Sequence, residues 1–408
     1  MSKMERKKEI INNSNLGVFE ETAPLKRVLM WGEPGAEAVL GQLLPEDISL
    51  FFSQFHVLQA REEFRTAVDI LQNEGVEVIQ VKDLFAEMIK EKVVYEDISI
   101  SSVRDDIVAR GLEFFERYKD ILEVEDVEQV LSWIDDTLSD DVAKYGDQTA
   151  SIINKALCLD FNLPLSNMLY ARDQSNLMAN VWVWSSMKKD IRQPEVSLYK
   201  KTLDWAGITT DQTLDVVEVG ENCSTFEGGD GIINNGIAYI GVGGRTNKKG
   251  VELAAGSLLA KGIRVVVPID MERDNGSIGE MDAMHLDTIW MPVSKTTAVS
   301  CLPEMQRRFA FEIVKNRDGL QWLDKGNFVD FLNQNGINPI PITKDEQNAF
   351  APNFLNLGNN KVVLSLAASS KLNQELEKRG IKVYNANLHN ITKGYGGLHC
   401  MTASIERA

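Results

Sequence analysis

Strand-length apolar runs alternate with helix-period segments along most of this chain, which restricts it to mixed α/β architectures. Leu25-Lys26-Arg27-Val28-Leu29-Met30-Trp31 has the composition of a strand, and Gly32-Glu33-Pro34-Gly35 breaks it. From Leu50 to Asn73 the residues Phe51, Phe55, Leu58, Phe64, Val68 and Leu71 recur at helical spacing. Gly75 ends that helix, and Val76–Val81 is a second strand. After Pro164 the alternation resumes, with Val181–Trp184, Gly231–Ile240, Ile263–Pro268 and Val362–Leu366 as strands and helices between them. Asn234-Asn235-Gly236 predicts a hairpin turn inside Gly231–Ile240. No exact repeat accompanies these units. Periodicity alone leaves a doubly wound sheet and a propeller-like arrangement both open.

One stretch interrupts the alternation. From Leu84 to about Asp147 the chain is acidic and free of proline, and Val103–Phe115 and Val127–Leu138 have helical periodicity. This predicts an all-helical insertion over residues 85–149, with 1–84 and 150–408 forming the α/β domain.

Composition narrows the function classes. The chain has 408 residues and a net charge of -17. Arg6-Lys7-Lys8 is its longest basic block, a poor footprint for nucleic acid. The cysteines Cys158, Cys223, Cys301 and Cys400 are far apart and form no CxxC pair, which argues against a disulfide framework or a thiolate zinc cluster. A reducing cytoplasm fits this usage. The basic stretch Met1–Asn15 carries only Ile10-Ile11 as an apolar segment, too short for a signal-peptide core. No run approaches the roughly 18 apolar residues of a membrane span, so no membrane partner is expected.

The segment with most chemistry is Gly396-Gly397-Leu398-His399-Cys400-Met401-Thr402, a cysteine beside a histidine after two permissive glycines. A buried structural cysteine is the commoner fate of a lone Cys. Met284-His285-Leu286-Asp287, placed on a strand, would point His285 and Asp287 to one face as a proton carrier and a carboxylate. A single histidine is a weak signal for zinc. Phe226-Glu227-Gly228-Gly229-Asp230-Gly231 and Ala171-Arg172-Asp173-Gln174, taken singly, read as a glycine turn and a surface ion-pair loop. Gly241–Thr246 is glycine-rich but matches neither a Walker loop nor GxGxxG, so no nucleotide is expected. Together the residues suit a guanidinium. Carboxylates grip that planar cation through paired hydrogen bonds, a thiolate attacks its carbon, and an acid protonates the departing amine.

The order PLxNxxYxRD (164–173), EGGD (227–230), HLD (285–287) and GGxHCMT (396–402) resembles the arginine deiminases, within the guanidino-group-modifying superfamily that includes the amidinotransferases. Pro34-Gly35-x-Glu37 and Gly75-Val76-Glu77-Val78 are also similar to that family's opening segment. The resemblance implies a five-bladed α/β-propeller of ββαβ modules with an all-helical insertion. It implies Cys400 as nucleophile, His285 as general acid/base, Asp173 and Asp287 as guanidinium clamps, and Glu227 as the group orienting substrate or His285. Asn167, Arg192 and Arg245 match positions holding the amino-acid end of the substrate, and Tyr170 stands where the family usually has Phe. Deiminases of free arginine usually carry an arginine five residues before the cysteine, and here that residue is Tyr395. The implied activity is hydrolysis of arginine, or a related guanidine, to citrulline and ammonia. The alternatives are amidino transfer to an acceptor amine and a catalytically silent binding relative. The resemblance implies no metal or other cofactor, a small guanidino substrate and, as a further expectation, a homo-oligomer.

Overall fold

A computed structural model describes residues 15–51, 55–92, 98–122, 124, 126–216, 223–270, 284–365 and 370–408. The basic N-terminal stretch (apart from Asn15) and Leu366, the end of one expected strand, lie outside the described residues.

The fold is mixed α/β, with the strands of the described residues in five sheets. Each sheet holds an antiparallel pair followed by a parallel neighbour. In one, Ser175–Met178 pairs antiparallel with Val181–Trp184, which pairs parallel with Gln212–Asp215. Gly231–Asn234, Ile237–Ile240 and Arg264–Asp270 repeat the pattern. So do Trp290–Ser294, Thr297–Cys301 and Asn338–Ile342, and Leu355–Gly358, Lys361–Ser365 and Lys382–Ala386. In the remaining sheet the C-terminal Ala403–Arg407 pairs antiparallel with Leu25–Met30, which runs parallel to Glu77–Gln80. The first and last strands of the described residues therefore share a sheet. A parallel neighbour needs a crossover, and helices such as Val57–Asn73, Gln193–Ala206 and Lys248–Ala260 supply it.

Local sequence explains several elements. Val181-Trp182-Val183-Trp184 is buried on both faces, so it shows no polar alternation. Asn235 and Gly236 have φ of 54° and 69°, the paired left-handed conformation of a tight hairpin turn. The expected helix from Leu50 starts later, at Val57, behind a His56 cap that accepts from the Gln59 amide. Leu50 instead takes a left-handed backbone with φ 64° and closes the short helix Glu46–Ser49. The strand expected over Ile263–Pro268 runs Arg264–Asp270. An unforeseen hairpin, Arg308–Asn316 with Gly319–Asn327, extends the sheet of Arg264–Asp270.

Four helices fill the proline-free stretch and its flanks: Val81–Lys92, Ile100–Tyr118, Val127–Tyr145 and Asp147–Cys158. The Ser99 and Asp126 side chains accept from the amides of Ser102 and Gln129, capping two of them. Their apolar faces, with Ile107, Phe114, Ile134 and Leu138, join the same core as Leu40, Leu43 and Phe64. A buried ion pair ties them down: Lys82 Nζ lies 3.0 Å from both Asp141 carboxylate oxygens. No helix among the described residues is long and apolar enough to cross a membrane.

Candidate active site

Each residue expected to react lies in the turn that leads into a strand of an antiparallel pair. Asp173 precedes Ser175–Met178, and Glu227 opens the 3-10 turn Gly228–Asp230 before Gly231–Asn234. His285 caps the 3-10 turn Leu286–Thr288, which contains Asp287, ahead of Trp290–Ser294. Cys400 sits on the helical turn Leu398–Met401 ahead of Ala403–Arg407. The placement of His285 and Asp287 on one strand face is corrected by this arrangement. On a helical turn, residues two apart do not share a face. His285 therefore meets Glu227, and Asp287 meets Cys400.

All five groups are buried, and they converge. His285 Nε2 is 2.8 Å from Glu227 Oε2, and His285 Nδ1 is 3.6 Å from Asp173 Oδ1. Cys400 Sγ lies 3.7 Å from Asp287 Oδ2. Two glycines are required for this approach. A Cβ on Gly229 would come within 2.9 Å of the His285 ring, and one on Gly396 within 2.5 Å of the Tyr170 ring. The glycine turn of residues 227–231 is thus a packing requirement of the site.

The surrounding charges favour the protonated form of His285. Burial alone would depress its pKa, but Asp173, the Glu227 hydrogen bond and Asp230 raise it to about 9. The ring is an imidazolium near neutrality, donating from Nε2 to Glu227. Glu227 is held below the usual carboxylate range, since Arg245 and His285 outweigh its burial. Cys400 is pushed well up by burial and by the negative charges of Asp287 and Asp173, with Asn353 acting in the opposite sense. The thiol is thus protonated until a cation offsets those carboxylates.

Three buried polar atoms face this need. Asp173 Oδ1, Asp287 Oδ1 and His285 Nδ1 have no hydrogen-bond partner among the described residues. Each such atom costs about 1–3 kcal/mol. Two carboxylate oxygens on two turns suit the N–H edges of a planar cation.

The residues matched to the substrate's far end are placed as follows. Asn167 is buried and donates from Nδ2 to Ser49 O at 2.8 Å, while its backbone carbonyl accepts from Arg192 Nη2. Arg192 is buried between Asp173 Oδ2, at 2.6 Å, and Glu195 Oε2, at 3.0 Å. Arg245 lies 3.9 Å from Glu227 Oε1. Tyr170 donates to Ile391 O at 2.5 Å. Tyr395 is half-buried with φ 62°, and its hydroxyl bonds the Glu46 carboxylate. Arg192 thus stands beside Asp173, and Arg245 beside Glu227.

Sequence reasoning missed Asn353. Its Nδ2 donates to Cys400 Sγ at 3.0 Å, and its Oδ1 accepts from the Cys400 and Gly397 amides at 3.0 and 2.9 Å. The signal was positional: Asn353 stands just before Leu355–Gly358, as Asp173 stands before Ser175–Met178. His399, noticed only as the neighbour of Cys400, donates from Nδ1 to Asp287 Oδ2 at 2.7 Å.

Asp173, Glu227 and His285 offer three ligand atoms within 4.8 Å of one another, close enough for a metal ion. Arg192 and Arg245 already compensate the two carboxylates, and His285 is protonated. A metal would have to displace that proton and sit beside two fixed positive charges.

A family model for arginine deiminase matches residues 48–407. The arginine deiminase of Borrelia duttonii is 25% identical over 422 residues, covering 96% of this chain and 98% of its own. That of Streptococcus gordonii is 23% identical over 410 residues, with the same coverage of 96% and 98%. Among solved structures, SxtG, an amidinotransferase from Microseira wollei, is similar in fold with a TM-score of 0.57 at 14% identity, covering 96% of this chain and 97% of that one. The substrate-bound N-terminal domain of ArgZ, a cyanobacterial arginine dihydrolase, gives 0.56 at 14% identity, covering 93% and 98%.

Proposed function

We propose that this chain, which belongs to the arginine deiminase family, hydrolyses arginine or a related guanidine to the ureido product and ammonia through a covalent intermediate on Cys400. The observation that carries this is the pair of carboxylate oxygens without a hydrogen bond among the described residues, Asp173 Oδ1 and Asp287 Oδ1, in one buried site with a thiol and an imidazolium.

The chemistry follows from the charges. A guanidinium bound by Asp173 and Asp287 offsets the negative field that keeps Cys400 protonated, so substrate binding releases the thiol proton to solvent. The thiolate adds to the guanidinium carbon, giving a neutral tetrahedral adduct. His285 gives its proton to one amino group, ammonia leaves, and a cationic amidino-thioether remains. Neutral His285 then takes a proton from water as the oxygen adds to the same carbon. Collapse of this second adduct expels the thiolate, leaves a C=O bond, and passes the hydroxyl proton to solvent. Glu227 holds the ring of His285, and Asn353 stabilises the thiolate on departure.

In this reading the five sheets of like order are blades of an α/β-propeller, with the turns ahead of their first strands gathered at its centre. Residues 85–149 are a helical domain inserted into a catalytic domain of 1–84 and 150–408. Asn167, Tyr170, Arg192, Arg245 and Tyr395 form the rest of the substrate site, Arg192 and Arg245 acting through Asp173 and Glu227. The usage of four unpaired cysteines supports a reducing compartment such as the cytoplasm.

The test is product analysis with arginine. Citrulline and ammonia in equal amounts are expected. Ornithine without ammonia, in the presence of an acceptor amine, would replace hydrolysis by amidino transfer. Failure to consume arginine or any of a panel of guanidines would leave a binding protein.

A further inference from the structure

Asp287 has two jobs that pull its carboxylate in different directions. One oxygen, Oδ2, lies 3.7 Å from Cys400 Sγ, and the other, Oδ1, is buried without a partner. The terminal torsion of an aspartate is soft, so the carboxylate needs an outside bond to keep both oxygens in place. That bond comes from His399, whose Nδ1 donates to Asp287 Oδ2 at 2.7 Å.

His399 is itself held from behind. It is fully buried, and its Nε2 is 3.6 Å from Glu21 Oε1. The same Glu21 oxygen accepts from Arg407 Nη2 at 2.6 Å. Arg407 is pinned to the backbone, donating from Nη1 to Ala23 O and Asn356 O, both at 2.9 Å. Burial works against ionisation of Glu21, yet Arg407 and His399 bring its pKa down to about 2. A line of contacts therefore runs from Arg407 through Glu21 and His399 to Asp287 and ends beside Cys400. None of these three supporting residues takes part in the bond-making steps of the proposed hydrolysis.

We propose that His399, backed by Glu21 and Arg407, is a positioning residue that fixes the Asp287 carboxylate so that Oδ1 meets the guanidinium while Oδ2 stays beside Cys400. This rests on the guanidinium-clamp reading of Asp287. It assigns His399 no proton transfer. Its ring matters for the Nδ1–H it presents to Asp287 and for the contact its Nε2 makes with Glu21.

Two isosteric changes separate those contacts. In His399→Asn the amide nitrogen falls close to Nδ1 and keeps the donor to Asp287. In His399→Gln it falls close to Nε2 and loses that donor. The probe is alkylation of Cys400 in the full chain by 2-chloroacetamidine, a small planar amidinium, and by neutral iodoacetamide; the thiolate displaces halide in both. The wild type is expected to react faster with the cation. His399→Gln is expected to lose about tenfold with the amidinium and little with iodoacetamide, and His399→Asn to restore most of that loss; a misplacement near 1 Å can cost about 100-fold in turnover. Equal behaviour of the two variants, or parallel loss with both reagents and a lowered melting temperature, overturns the positioning role while the clamp stands. A wild type with no preference for the amidinium removes the clamp itself, and the positioning role with it.

Discussion

Asn353 grips Cys400 from both sides: its amide nitrogen donates to the sulfur at 3.0 Å, while its amide oxygen accepts from the cysteine backbone N–H at 3.0 Å. The first bond favours thiolate, and the second orients the turn that carries it. Replacing Asn353 by Leu removes both. Hydrogen bonds to charged groups contribute about 1.5–3 kcal/mol, so kcat/KM is expected to fall by about 10–100-fold. The pH dependence of iodoacetamide alkylation reports the thiol directly. An unchanged thiol pKa in the variant would count against a thiolate-stabilising role.

Cys400→Ala leaves the carboxylates and His285 in place but removes the atom proposed to attack. Turnover is expected to drop by about 10⁴-fold or more, as for other covalent nucleophiles. Arginine should still raise the melting temperature of the variant, because its clamps remain. Ammonia release at the wild-type rate would end the covalent mechanism.

His285 has a pKa of about 9 in the folded protein, against 6.5 for the free group. A raised pKa stabilises the fold in full below the lower value, and that contribution is lost as pH rises through the higher one. The wild type is therefore expected to lose stability relative to His285→Gln between these two values, and activity should decline with a midpoint near 9 as the acid is lost. Denaturation curves of both proteins across this range check the first, and a pH–rate profile the second. An alkaline limb of activity absent up to about pH 10, beyond the range of an ordinary histidine, would show that His285 is not the acid.

Lys82, on the helix Val81–Lys92, and Asp141, on the helix Val127–Tyr145, form a buried pair. Lys82→Met strands the Asp141 carboxylate, and breaking such a pair costs about 3–5 kcal/mol. Urea unfolding should show a loss of this size, while Asp141→Asn together with Lys82→Met should recover part of it. A single-variant cost under about 1 kcal/mol would mean that water reaches the pair.

Much of the fold was legible along the chain. Val181–Trp184 stands where its unbroken apolar run put it, and Asn235-Gly236 makes the predicted turn. Helical periodicity in Val103–Phe115 and Val127–Leu138 corresponds to real helices. The hairpin of residues 308–327 was not foreseen. Its strands are half-exposed, so its apolar alternation is weak. The strand assigned to His285 and Asp287 failed because a single 3-10 turn has no periodicity to read.

By itself, the sequence determined which chemical groups the protein owns and the order of the motifs that carry them: a cysteine, an imidazole and carboxylates on glycine-marked turns. These are local properties, set by side-chain type and backbone freedom. Only the tertiary structure decided what each group faces. Asp287 meets His399 across 112 residues, and Asn353 meets Cys400 across 47. Arg192 is paired with Asp173 and Glu195. Such contacts depend on how separate sheets bring their leading turns together, to within a hydrogen-bond length. No local periodicity carries that distance.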